Sequence, residues 1–223
     1  MRTLFFLLTA FMIFLPSAVR AEAVPQHVIK KCQDAVRKAN PVKITYNYGD
    51  LKLDHSKSSM EVSKDCGGDA AGCFHGIDGC MWSYTIDGLQ IGDYYCFFPK
   101  AQVNCDFRGV YIDVRNDYAG CNARAVLRHE LQHFMIWKTA KDNMIKEMKI
   151  KGNEFAIQNA IVCKSSCGNY SADALSNELG KIQEKWRKIS DINDKLLDDV
   201  DHDYDKEVNY KVCAPYSLEI ISN

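Results

Sequence analysis

The spacing of hydrophobic and polar positions changes near residue 120. Before it, short stretches alternate, as strands do when one face is buried. Val42 to Tyr48 alternates loosely and ends at Gly49-Asp50. Val110-Tyr111-Ile112-Asp113-Val114 alternates cleanly and predicts a half-buried strand with Val110, Ile112 and Val114 on one face. Met81 to Ile86 and Gln90 to Phe98 are aromatic and β-branched, and Asp87-Gly88 between them predicts a hairpin turn. Met60 to Gly79 holds five glycines around Cys66 and Cys73, which predicts a cross-linked loop region.

Beyond residue 120 the period is helical. Asn122 is a good N-cap for a helix starting at Ala123. Val126, Leu127, Leu131, Phe134 and Ile136 keep helical spacing, the pattern continues to about Ile150, and Gly152 is expected to end it. A second helix, Glu154 to Val162, is expected to lead into a turn at Cys163–Cys167. A third runs from about Ala172 to Val200, with Leu175, Leu179, Ile182, Trp186, Ile189 and Leu196 as a core-facing stripe. Asn193 interrupts the stripe and weakens a coiled-coil seam. The fold class is therefore α+β: a strand-rich, disulfide-linked N-terminal half followed by a helical half.

The first residues follow different rules. Arg2 is a basic n-region, Leu4 to Leu15 is apolar except for Thr9, and Val19-Arg20-Ala21 offers small residues for cleavage. Residues 1–21 read as a signal peptide, and residues 22–223 as one domain. The apolar run is too short for a membrane span, so no stable membrane insertion is expected after cleavage. Without Arg2 and Arg20 the basic count falls from 28 to 26 against 29 acidic residues, a net −3. That balance leaves no electrostatic footprint for nucleic acid.

All ten cysteines follow the cleavage site: Cys32, Cys66, Cys73, Cys80, Cys96, Cys105, Cys121, Cys163, Cys167 and Cys213. An even number in an exported chain reads as up to five disulfides and a secreted or periplasmic destination. No Cys-x-x-Cys pair suggests a cysteine zinc site. Cys163 and Cys167, one helical turn apart if that segment is helical, are expected to take separate partners.

The chemistry gathers at His129-Glu130-Leu131-Gln132-His133. Histidines four apart on a helix share a face and can hold one zinc ion. Glu130, rotated by one residue, can act as general base toward the water without replacing a ligand. The expected assignment is therefore His129 and His133 as metal ligands, Glu130 as catalytic residue and Zn2+ as cofactor. A catalytic zinc needs a third protein ligand. No glycine or histidine follows in Phe134 to Thr139. Glu154 lies too far along the helix, and an antiparallel return near residues 170–180 favours Glu178. The segment Asp201-His202-Asp203-Tyr204-Asp205 is the other source, with His202 as ligand and Tyr204 as oxyanion donor. The acidic patch containing Asp198 and Asp199 otherwise reads as a solvated helix end. His27, His55 and His75 have no spacing partner and read as surface or core residues.

The run Val110 to Val114, then Gly120-Cys121, then Ala125-Val126-Leu127-Arg128-His129-Glu130 and His133 resembles a group of small exported bacterial proteins predicted to be zinc-dependent proteases. The resemblance covers about residues 110–140. It implies a zincin-like core with the histidine helix under an edge strand, His129 and His133 as ligands and Glu130 as base. Lys138 departs from it, because some related sequences carry an acidic residue there. Two function classes follow. One is an exported zinc peptidase acting on a protein, a peptide or a peptidoglycan stem peptide. The other is a disulfide-stapled secreted binding or structural protein with an inactive histidine helix.

Overall fold

The structure is a computed structural model and describes residues 23–67, 70–76, 79–164, 167 and 171–208, without the side chains of 200–208. The expected signal peptide and Cys213 lie outside the described residues. In chain order the elements are α1 (Gln26–Ala39), β1 (Val42–Tyr48), β2 (Lys52–Asp54), α2 (Ser59–Cys66), β3 (Gly72–His75), β4 (Cys80–Ile91), β5 (Tyr94–Phe107), β6 (Tyr111–Val114), α3 (Gly120–Gln158), β7 (Ile161–Cys163) and α4 (Asp173–Val208). The mixed architecture, a strand-rich first half and a mainly helical second half, is the expected α+β arrangement.

Strand β5 organises the larger sheet. It carries β4 antiparallel on one edge, and parallel β1 followed by antiparallel β7 on the other. Ala101, Val103, Cys105 and Phe107 alternate inward and are at most 4% exposed. They meet Trp137, Met144 and Met148 of α3 and Leu175, Leu179 and Ile182 of α4 in one core. A second core joins Cys32 and Val36 of α1 to Cys96 and Phe98 of β5 and Ala156 of α3. The smaller sheet has the order β2-β6-β3.

Several boundaries differ from expectation for local reasons. The hairpin turns at Gly92-Asp93, not Asp87-Gly88, because β4 and β5 pair without a break from Cys80↔Cys105 to Ile91↔Tyr94. Gly92 has φ +61, the glycine-first pattern of a type II′ turn. Within the loop region, Ser58 forms a capping box with Glu61 and starts α2. The histidine helix begins at Gly120 rather than Ala123 and runs through Gly152 to Gln158, about 58 Å. Gly152 is there for close packing, since a Cβ would sit 3.0 Å from Val42 Cγ2 and 3.3 Å from Leu179 Cδ2. The helix expected over 154–162 is the end of α3, followed by strand β7.

Disulfides join Cys32–Cys96, Cys66–Cys73, Cys80–Cys105 and Cys163–Cys167. Cys121 is also disulfide-bonded. The Cys163–Cys167 bond corrects the expectation of separate partners. Cys163 ends strand β7 rather than lying in a helix, and the two Cα atoms are 5.6 Å apart, within disulfide reach. No helix among the described residues is long and apolar enough to cross a membrane.

Candidate metal centre

Helix α3 is wedged against the small sheet at two glycines. A Cβ on Gly72 would meet Val126 Cγ1 at 2.5 Å, and one on Gly76 would meet Trp137 at 2.8 Å. Phe74 lies between them, with ring centroids 6.0 Å from Phe134 and 5.7 Å from Trp137. The strand against the histidine helix is therefore β3. Strand β6 is the central strand of its sheet.

This packing turns Glu130 inward. It is only 5% exposed, and the Phe74 backbone N–H donates to its carboxylate. Burial raises its pKa above the ordinary carboxylate value, while the nearby imidazoles of His129 and His133 pull it down and Asp198 raises it. A carboxylate held in this way gains proton affinity, as a general base requires.

The two histidines face α4. Their rings lie 4.7 Å apart between centroids, with Nε2 to Nε2 at 3.0 Å. Asp198 Oδ1 lies 3.1 Å from His133 Nε2 and 3.6 Å from His129 Nε2. On the other side of His133, Nδ1 is 3.1 Å from Asp194 Oδ1, and Asp194 Oδ2 accepts from the Ser190 hydroxyl at 3.4 Å. A carboxylate on Nδ1 fixes that nitrogen as the donor and directs Nε2 to the centre. Burial disfavours charge on His133, but the hydrogen bond to Asp194 and the charges of Glu130 and Asp198 raise its pKa overall. The carboxylates around His133 thus favour positive charge at that ring.

The donor set fits zinc. Tetrahedral bonds of about 2.0–2.1 Å place neighbouring donor atoms about 3.3–3.4 Å apart. The observed triangle has edges of 3.0, 3.1 and 3.6 Å. Shifts of a few tenths of an ångström would seat the ion, and two imidazoles with one carboxylate leave a fourth position open.

The carboxylate that α4 brings beside the two imidazoles is Asp198, not Glu178. Glu178 is 20 residues earlier on α4, about 30 Å away along the helix, and pairs with Lys181 at 3.8 Å. His202 falls one turn beyond Asp198 on α4, and its side chain, like that of Tyr204, is outside the described residues. Glu154 is on α3, 21 residues past His133, again about 30 Å off. Lys138 stays away from the centre, pairing with Asp142 at 2.7 Å and lying over the Tyr48 ring. Sequence reasoning missed Asp194 and Asp198, although their i, i+4 spacing places two carboxylates on one helix face.

The chain matches no protein-family model, no curated protein and no solved structure.

Proposed function

We propose that this chain is an exported zinc-dependent hydrolase of amide bonds, a peptidase of zincin-like type. The reading rests on one juxtaposition: the Nε2 atoms of His129 and His133 and a carboxylate oxygen of Asp198 converge beside the buried carboxylate of Glu130. His129, His133 and Asp198 would hold the ion. Bound zinc supplies Lewis acidity toward a water and the scissile carbonyl. Glu130 accepts a proton from the attacking water and delivers it to the departing amine. Phe74 holds the Glu130 carboxylate in place through its backbone N–H. Asp194 keeps His133 in one tautomer. The substrate is a peptide or an unfolded protein, and a peptidoglycan stem peptide offers the same amide.

One observation favours a second reading. Glu130 is almost fully covered, so the centre can also serve a disulfide-stapled binding or structural protein that holds metal without hydrolysis. Hydrolysis of a fluorescein-labelled unfolded protein by the zinc-loaded mature chain separates the two. The peptidase reading expects Glu130→Gln to retain zinc and lose activity by about 100-fold or more. Zinc-loaded wild-type protein that cleaves neither this probe nor a stem peptide supports the binding reading.

A further inference from the structure

Strand β3 has a second face. Gly72 and Phe74 point at α3, while Cys73 and His75 share the opposite face with their register partners Asp113 and Tyr111. There His75 Nε2 lies 2.8 Å from Cys73 Sγ, 3.9 Å from Cys66 Sγ and 3.0 Å from Asp113 Oδ2. The His75 ring stacks on Tyr111 with centroids 4.3 Å apart. Asp113 is fully buried, and Lys57 Nζ donates to its Oδ2 at 2.6 Å. Its other oxygen, Oδ1, is buried with no hydrogen-bond partner among the described residues. Leaving such an oxygen unpaired is unfavourable, and a nearby cation would offset that cost.

A disulfide needs no imidazole at its sulfur, yet here one nitrogen, His75 Nε2, faces both Cys73 Sγ and the buried Asp113 carboxylate. Two sulfurs and one imidazole nitrogen lying within 4.8 Å of one another form a donor set for a borderline-soft divalent ion. We propose that Cys66, Cys73 and His75 make a second metal site, of thiolate type and zinc class, that exchanges with the Cys66–Cys73 disulfide. A phosphine and one water reduce the disulfide to two thiols and leave phosphine oxide. The metal then displaces the two thiol protons, which pass to solvent. Two thiolates neutralise the divalent ion, while Lys57 bridges Asp113 and Asp65 at 2.6 and 3.0 Å, so the surroundings of the occupied site keep one negative charge. The Phe74 N–H that holds Glu130 lies between the two ligands on β3, so occupancy of this face adjoins the other centre.

The test is cobalt binding to the mature chain before and after phosphine reduction under argon, with freed cysteines mapped by alkylation. Reduction is expected to add one cobalt per chain and a sulfur-to-cobalt charge-transfer band. The band must vanish in the Cys66→Ser/Cys73→Ser double variant and survive in His129→Ala/His133→Ala. That second control makes the result independent of the proposed peptidase centre. Alkylation of Cys66 and Cys73 as thiols with no band overturns the proposal, as does a band that persists in the double serine variant. If reduction unfolds the chain, Cys66→His cannot form this disulfide yet keeps three donors. Its otherwise oxidised protein must show a thiolate–cobalt band, and no band there overturns the proposal.

Discussion

Asp194 makes its case at a single ring nitrogen. It touches His133 on the side away from Asp198, so its effect on metal is indirect. Asp194→Asn is expected to weaken zinc binding about 10- to 100-fold without unfolding the chain. A competition titration with a zinc chelator measures this, and an unchanged affinity would remove Asp194 from the centre. Gly72 makes the complementary case for packing. Gly72→Ala brings a Cβ to 2.5 Å from Val126 Cγ1 and 2.7 Å from the Asp113 carbonyl oxygen. Overpacking of this kind costs about 1–3 kcal/mol, to be read from urea denaturation. His129, Glu130 and His133 were legible in the sequence because helical geometry alone brings i and i+4 together. Asp198 was not, because its approach depends on where two long helices end.

That dependence belongs to the helices. From His133 to Gln158 is 25 residues, and 25 residues from Asp173 reach Asp198. The antiparallel α3–α4 hairpin therefore returns to the level of the two histidines twenty residues later than Glu178. Reading Gly152 as a helix end shortened α3 and moved the return toward Glu178. A clamp midway holds this register: Glu147 Oε2 accepts from Lys185 and from Trp186 Nε1, each at 2.7 Å. The Lys185 hydrogen bond, opposed by some burial and aided by Lys151 and Trp186, lowers the Glu147 pKa from 4.5 to about 2. A carboxylate lowered on folding stabilises the fold above its unfolded pKa, and this contribution is lost as pH falls toward the folded value. Glu147→Gln should thus cost about 1.5 kcal/mol at neutral pH, and its deficit should shrink between pH 4.5 and about 2. Melting curves of both proteins across that range check the sign. A deficit that grows on acidification contradicts the clamp.

At the scale of the whole molecule, cysteine usage announced cross-linking but could not give the pairing. The cross-links differ in what they close. Cys32–Cys96 spans 64 residues and ties α1 to β5, whereas Cys163–Cys167 spans 4. Loop-closure entropy assigns about 4 kcal/mol to the first and about 2 kcal/mol to the second. Cys32→Ala/Cys96→Ala should therefore lower the denaturation midpoint about twice as far as Cys163→Ala/Cys167→Ala. Removal of Cys32 and Cys96, at most 1% exposed, also opens space in the second core. Equal midpoints would mean that the long cross-link adds little to the fold.

The central claim is that one metal ion sits between α3 and α4, held from both helices. Zinc content of the oxidised mature protein tests it most directly, measured after zinc loading and desalting beside His133→Ala and Asp198→Ala. About one zinc per wild-type chain, lost in His133→Ala and sharply reduced in Asp198→Ala, is the expected result. Wild-type protein without zinc, or Asp198→Ala retaining it at wild-type affinity, would contradict the account.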